Sequence, residues 1–273
     1  MNLQQLIQEI FAKKSFLCVG LDTELKKIPL HLQSNPNAVL AFNKAIIDAT
    51  KAHCVSYKIN TAFYEAMGVK GWEIMEATLD YIPTCHFTIA DAKRGDIGNT
   101  SSQYAKAFFE TLNFDAITVA PYMGEDSVRP FLEYENKITI VLGLTSNKGA
   151  HDFELQKTGN QFLFENVIST ISSWGTPQNL MFVVGATQTN HLQLIRNIVP
   201  NNFLLIPGVG FQGGSLQDVA EFGINNEVGL LVNASRAVIY ASQHENFAEE
   251  AKVIASQYQF EMAQLMNHYL TKK

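Results

Sequence analysis

The feature that most constrains the fold is an alternation of short apolar runs, rich in β-branched residues, with stretches that carry helical spacing. This alternation is typical of parallel strands joined by helices. Eight runs can be counted, at residues 16–21, 55–59, 86–90, 116–119, 138–144, 181–185, 203–207 and 228–232. Eight such units in 273 residues predict a (β/α)₈ barrel, an α/β fold whose chemistry occurs at the carboxyl ends of the strands.

A doubly wound open sheet is the competing topology. The chain has no G-x-G-x-x-G after its first apolar run, and no shift in composition divides it. We therefore expect a single barrel domain spanning residues 1–273. Ahead of the barrel, residues 1–14 predict a packing helix, because apolar side chains recur there at helical spacing: Leu3, Leu6, Ile7, Ile10 and Phe11. The longest candidate loop is 146–159.

Charge and cysteine content narrow the possible partners. A net charge of −6 and a pI near 5.6 leave no general basic field, which argues against a nucleic-acid partner. No apolar run approaches the ~18 residues that a membrane span needs, so we expect no membrane partner. Cys18, Cys54 and Cys85 form an odd set without metal-ligand spacing, which favours a reducing, cytoplasmic compartment.

A dense group of charges follows the third apolar run. Asp91 and Lys93 are two residues apart, so in an extended segment a carboxylate and an ammonium project from the same side. Asp96 lies in the turn that follows, and Gly95 and Gly98 permit that turn to be tight. A solvated charged turn is the alternative interpretation.

Other strand ends carry polar residues at the same predicted mouth. Asp22 follows the first run, Lys58 and Asn60 end the second, and Thr145 and Ser146 end the fifth. The seventh run leads into a glycine-rich stretch at 207–214 that includes Gln212 and Gly213, and the eighth is followed by Arg236. Glycines let backbone N–H groups approach a phosphate, and this fold often binds phosphate after its last two strands.

The long loop contains one group of candidate metal ligands. His151, Asp152 and Glu154 lie close together in the sequence, but one histidine with flexible carboxylates is a poor ligand set. We therefore predict no metal site. An alternating array of Asp22, Lys58, Asp91, Lys93 and Asp96 facing a phosphate site suits proton transfer at carbon, because a lysine held between carboxylates stays protonated and can donate.

The combined motifs resemble the orotidine 5'-phosphate decarboxylase family. The resemblance rests on Asp91-x-Lys93-x-x-Asp96 with Thr100 downstream, on Lys58, on Pro-Gly-Val-Gly-x-Gln-Gly-Gly and on Arg236. It spans nearly the whole chain and is nearest the longer-chain branch of the family. The D-x-K-x-x-D motif alone is shared with sugar-phosphate relatives, whereas the joint set is much more specific.

The resemblance implies decarboxylation of orotidine 5'-monophosphate to uridine 5'-monophosphate, without cofactor or metal, in pyrimidine synthesis. Lys93 would protonate C6 of the pyrimidine, and Asp91 would lie against the departing carboxylate. The remaining roles concern substrate binding: Asp22 and Lys58 at the ribose hydroxyls, with Lys58 also orienting the array, Asn60 at the same strand end, Thr145 and Ser146 at the pyrimidine edge, and Gln212, Gly213 and Arg236 at the phosphate.

The resemblance also implies a homodimer, in which Asp96 and Thr100 reach the neighbouring subunit's site. Two other functions stay open from the residues. One is an Mg²⁺-dependent aldolase of the hexulose-phosphate synthase type, although its strand-two acid is replaced here by Lys58-Ile59-Asn60. The other is a catalytically silent barrel that binds a sugar phosphate or nucleotide.

Overall fold

The computed structural model describes residues 1–210 and 214–271. Eight strands form a closed barrel: β1 (Leu17–Gly20), β2 (Ser56–Asn60), β3 (Phe87–Arg94), β4 (Ala116–Val119), β5 (Ile138–Leu144), β6 (Leu180–Val184), β7 (Leu204–Pro207) and β8 (Leu230–Ala234). Every neighbouring pair is parallel, in the order β1-β8-β7-β6-β5-β4-β3-β2. The predicted (β/α)₈ barrel is confirmed.

Helices connect the strands around the barrel. They are α1 (Leu3–Lys13), α2 (Leu30–Gln33), α3 (Ala38–Thr50), α4 (Thr61–Glu65), α5 (Val69–Tyr81), α6 (Gly98–Lys106), α7 (Glu125–Leu132), α8 (Leu163–Ser172), α9 (Thr189–Ile198), α10 (Leu216–Gly223), α11 (Arg236–Ile239) and α12 (Phe247–Leu270). A π-helical turn, Ala107–Thr111, extends α6, and short 3₁₀ turns lie at Leu25–Lys27 and Lys148–His151. Within the described ranges, no helix is long and apolar enough to cross a bilayer.

The predicted N-terminal helix is present as α1. Its Asn2 cap accepts a hydrogen bond from the Gln5 N–H and the Gln5 side chain reciprocates, which satisfies two backbone donors that a helix start leaves unpaired. Leu3, Leu6, Ile7 and Ile10 are buried in the main core cluster. Phe11 shares the helical spacing but is 44% exposed.

Two strands differ from their predicted bounds by more than one residue, for local reasons. β3 does not end at residue 90 but continues through the charged motif to Arg94. β8 begins at Leu230, two residues later than expected, because Val228 and Gly229 have φ values of 70° and 67° and cannot lie in a strand.

The segment 146–159 is more ordered than a plain loop. It contains the 3₁₀ turn Lys148–His151 and the first strand of a small antiparallel hairpin, Lys157–Thr158 with Gln161–Phe162. This segment crosses the carboxyl end of β5, where it contacts the predicted site.

Candidate active site

A chain of charged groups lies at the carboxyl ends of the first three strands. Lys58 on β2 is buried, and its Nζ lies 2.8 Å from Asp91 Oδ2 and 3.4 Å from Asp22 Oδ1. Lys93 Nζ donates to the other oxygen of the same carboxylate, Asp91 Oδ1, at 2.6 Å. The Asp91 carboxylate is therefore bracketed by two ammonium groups, one buried and one at the mouth.

The electrostatic balance keeps this array ionised. Burial acts to raise the pKa of the Asp91 carboxyl, but the charges and hydrogen bonds of Lys58 and Lys93 outweigh it and hold that pKa well below its usual range. Burial likewise acts to lower the pKa of Lys58. The negative charges of Asp22 and Asp91 outweigh the effect of burial, so the pKa of Lys58 is raised. A carboxylate and a buried ammonium thus stabilise one another's charged form.

Lys93 reaches the array from a bulge in β3. The ladder with β4 pairs Ala90 with Ile117 and then Arg94 with Val119, so β3 spans four residues where β4 spans two. Lys93 has a φ of 45°, a left-handed conformation that is rare for a residue with a Cβ. Asp91 and Lys93 lie on the same side of β3, as predicted, but the bulge and not a regular extended strand brings them together. Of the two glycines predicted to permit the turn, Gly98 has a left-handed φ of 48° and Gly95 does not.

Thr118 on β4 contacts both residues of the bulge. Its hydroxyl donates to Asp91 Oδ1 at 3.0 Å and accepts from the backbone N–H of Lys93 at 2.9 Å. Thr118 lies on the buried side of the bulge, since it is 1% exposed. The hydroxyl therefore bridges the carboxylate and the backbone that carries the neighbouring lysine.

The charged array opens into a cavity of about 340 Å³ at the mouth of the barrel, a size within the ~300–1,000 Å³ range of small-molecule sites. Eight of the predicted site residues line it: Asp22, Lys58, Asn60, Asp91, Lys93, Thr145, Ser146 and Arg236. Asn60 also caps α4, because its side chain accepts from the Ala62 N–H. The structure thus brings together residues from β1, β2, β3, β5 and β8.

The fifth strand end is shaped by contacts from the long loop and from β6. Glu154 accepts from the backbone N–H of Thr145 at 2.6 Å and from its hydroxyl at 2.8 Å. Gly185 lets the chain approach closely, because a Cβ there would lie 2.7 Å from the backbone nitrogen and the Cβ of Ser146. Thr145 is thus fixed by Glu154, and Ser146 lies beside it at the cavity wall.

The opposite wall of the cavity comes from the last two strands. Gly208 has a φ of 98°, which turns the chain sharply after β7, and the Gly210 N–H donates to the Gly214 carbonyl at 3.0 Å, closing the base of the glycine-rich loop. Arg236 begins α11 immediately after β8. Gln212 and Gly213, which were predicted to contact phosphate, lie outside the described residues.

Asp96 and Thr100 do not line the cavity of their own chain. The Asp96 carboxylate accepts from the Ile97 N–H at 2.8 Å, and Thr100 is exposed. Large apolar residues are also exposed nearby, with Ile97 at 58% and Met123, which lies against Gly95, at 45%.

Four residues of the site were missed in the sequence analysis: Thr118, Glu154, Asn233 and Ser235. Asn233 and Ser235 line the cavity beside Arg236, and the two-residue periodicity of β8 could have indicated them. Glu154 had been considered only as a metal ligand. Thr118 gave no signal beyond being the single hydroxyl in an apolar strand.

Comparison with known proteins agrees with this geometry. The sequence profile of the orotidine 5'-phosphate decarboxylase / HUMPS family matches residues 15–251. This chain belongs to that family. An orotidine 5'-phosphate decarboxylase of Christiangramia forsetii is 58% identical over 266 residues, which are 96% of this chain and 98% of that protein.

Solved structures in the same family share the fold. The OMP decarboxylase of Leishmania donovani superposes with a TM-score of 0.81 at 34% identity, covering 95% of this chain and 99% of that one. The UMP synthase of the same organism superposes with a TM-score of 0.83 at 35% identity over 95% of this chain. This chain spans 57% of the UMP synthase, so the likeness concerns only that part of the larger protein.

Proposed function

We propose that this chain decarboxylates orotidine 5'-monophosphate to uridine 5'-monophosphate and carbon dioxide, as a step of pyrimidine synthesis, with Lys93 as the proton donor. Family membership and the decarboxylases that match nearly the whole chain support the reaction. The observation that carries the mechanism is the Asp91 carboxylate, bracketed by Lys58 and Lys93 at the cavity mouth.

The chemistry follows from the charges. The bond between C6 and the carboxylate breaks, its electron pair remains on C6, and carbon dioxide leaves. Lys93 transfers a proton from Nζ to C6 as this negative charge develops, and Asp91 faces the departing carboxylate, where the repulsion between the two anions ends as the carboxylate becomes neutral. The Lys93 side chain is 49% exposed, so it can regain a proton from solvent. No cofactor takes part in these reaction steps.

Substrate binding divides between the two walls of the cavity. Asp22 and Lys58 bind the ribose hydroxyls, and Asn60 lies beside them at the end of β2. Ser146 contacts the pyrimidine edge, while Thr145, whose N–H and hydroxyl already donate to Glu154, holds the strand end in place. Arg236 binds the phosphate together with Gln212 and Gly213, because a guanidinium matches phosphate oxygens with paired donors.

The active unit is a homodimer in which Asp96 and Thr100 serve the partner's cavity. Both lie past the bulge and outside the lining of their own chain's cavity, and the exposed Ile97 and Met123 nearby offer apolar area for an interface.

The protein works in a reducing, cytoplasmic compartment. Cys18, Cys54 and Cys85 are all free thiols. Burial raises the pKa of Cys18 to about 11 and that of Cys54 to about 12, so these two thiols are unreactive core residues.

The deciding experiment is turnover of orotidine 5'-monophosphate in the presence of a metal chelator. The wild type should consume the substrate, measured as loss of the orotate absorbance, with the chelator present. Lys93→Ala should lower turnover by roughly 10²–10⁴-fold while uridine 5'-monophosphate still binds, since general acid catalysis contributes at about that level. Absence of wild-type turnover would refute the decarboxylase proposal, and a Lys93→Ala variant with near-normal turnover would remove Lys93 from the mechanism.

A further inference from the structure

One buried hydroxyl connects the Asp91 side chain to the backbone of Lys93. Thr118 is on β4, whose four residues are all buried, and its neighbours in the strand are apolar. The hydroxyl proton points to Asp91 Oδ1, the same oxygen that accepts from Lys93 Nζ. Its lone pair receives the backbone N–H of Lys93.

The bulge explains why this contact matters. Between Ala90 and Arg94 the regular ladder with β4 is interrupted, so the Lys93 N–H has no strand carbonyl in register to accept it. Thr118 Oγ1 takes that role at 2.9 Å. A left-handed φ at a lysine persists only where the surroundings fix it, and Thr118 supplies one of those restraints on the side facing the core.

We propose that Thr118 is a positioning residue: its hydroxyl holds the Lys93 backbone and the Asp91 carboxylate in one fixed relation, so that Lys93 Nζ is delivered to the reacting carbon. The proposal rests on the proposed decarboxylase function. Thr118 does not line the cavity, so it acts only through Asp91 and Lys93.

The expected loss of kcat on removal of the Thr118 hydroxyl follows from the geometry of the site. A misplacement of about 1 Å in a reacting group can lower a rate by roughly 10²-fold. Loss of a hydrogen bond to a charged group changes an equilibrium constant by a factor of similar order. We therefore expect removal of the hydroxyl to lower kcat by about ten- to hundredfold.

Two substitutions separate the hydroxyl from the packing. Thr118→Val keeps the shape and removes the hydroxyl, whereas Thr118→Ser keeps the hydroxyl and removes a methyl group. If the hydroxyl positions the site, Val lowers kcat about ten- to hundredfold with little change in KM or in affinity for uridine 5'-monophosphate, and Ser stays close to wild type. If Thr118 only fills space, Ser is the more impaired variant. Wild-type kcat in Val, or equal losses in Val and Ser, overturns the proposal.

A second readout does not depend on turnover. Hydrogen exchange of the Lys93 amide, followed by NMR, should be slow in the wild type and Ser variant and faster in the Val variant, because only Val lacks the acceptor. Unchanged exchange in the Val variant overturns the proposal. A wild type that fails to decarboxylate would count against the proposed function, and the amide exchange would still decide whether Thr118 holds the bulge.

Discussion

The Asp91 carboxylate accepts hydrogen bonds from Lys58, Lys93 and Thr118, three donors on three different strands. Two of these donors carry positive charge, and together they keep the carboxylate ionised in a largely buried position. At the residue scale, the ion pairs on which the proposed mechanism depends also contribute to the stability of the fold.

The depressed pKa of Asp91 predicts a pH dependence of stability. Below its ordinary value of 3.8, the unfolded carboxyl binds a proton before the folded one does, so stability is lost as the pH falls from about 4 toward the folded pKa. Asp91→Asn lacks this group. In urea unfolding, the free energy of unfolding of the wild type should exceed that of Asp91→Asn by an amount that shrinks as the pH falls from 5 to about 3. The exposed Asp152→Asn serves as the control, and an advantage that stays constant with pH would contradict the linkage.

Arg236 predicts a substrate-dependent defect. For Arg236→Ala we expect kcat/KM for orotidine 5'-monophosphate to fall by about 10²-fold, because the remote phosphate supplies binding energy that is used at the ring. Activity toward orotidine, which lacks the phosphate, should change little. Steady-state kinetics with both substrates measure the difference. An equal loss toward both would show that Arg236 does not bind phosphate.

At the element scale, Arg94 ties the bulged strand to its surroundings. Its guanidinium pairs with Glu65 at the end of α4, donates to the Ala92 carbonyl at 3.1 Å, and lies 5.4 Å from the Tyr104 ring centre and 5.3 Å from that of Phe108. Arg94 thus connects β3 to α4 and α6 immediately beside Lys93.

This arrangement predicts measurable coupling between Arg94 and Glu65. Arg94→Met should lower the free energy of unfolding by about 1–2 kcal/mol, since removal of the guanidinium abolishes both the ion pair with Glu65 and the contacts with the aromatic rings. Lys252→Met, at an exposed site on α12, is the matched control. Denaturant unfolding of Arg94→Met, Glu65→Gln and the double variant completes the cycle, and strictly additive effects would mean that the two side chains do not interact.

Local sequence patterns predicted the elements but not the details of the site. Apolar runs recur with barrel spacing, so the strands were found within a few residues, and Asp91, Lys93 and Arg236 were recognisable because charges follow apolar runs abruptly. The bulge was not predictable, because nothing in a lysine signals a left-handed φ. Thr118 contacts residues 25 and 27 positions away in the sequence, and Glu154 folds back onto Thr145 nine positions away, which no short pattern records.

At the scale of the whole molecule, the position of Asp96 makes a shared active site testable by mixing subunits. If the proposed homodimer shares its sites, Lys93→Ala and Asp96→Ala dimers should each be nearly inactive. In a mixed dimer, one site receives both defects and the other receives Lys93 and Asp96 intact. Random reassortment gives about half mixed dimers, so activity should recover to roughly one quarter of the wild-type value per subunit.

The mixing experiment needs direct proof of subunit exchange. Mass spectrometry of differently tagged chains supplies it, and Lys93→Ala mixed with itself is the control. If exchange is complete and no activity returns, Asp96 acts within its own subunit.

The left-handed backbone of Lys93 places folding and catalysis in conflict at one position. Lys93→Gly and Lys93→Ala both remove the ammonium, but only glycine adopts a φ of 45° without strain, so thermal unfolding should find the Gly variant more stable than the Ala variant by about 1 kcal/mol. Equal stabilities would mean that the bulge relaxes when the side chain is removed. A lineage selected for stability alone would place glycine at this position, and under the proposed mechanism the need for a proton donor retains lysine there.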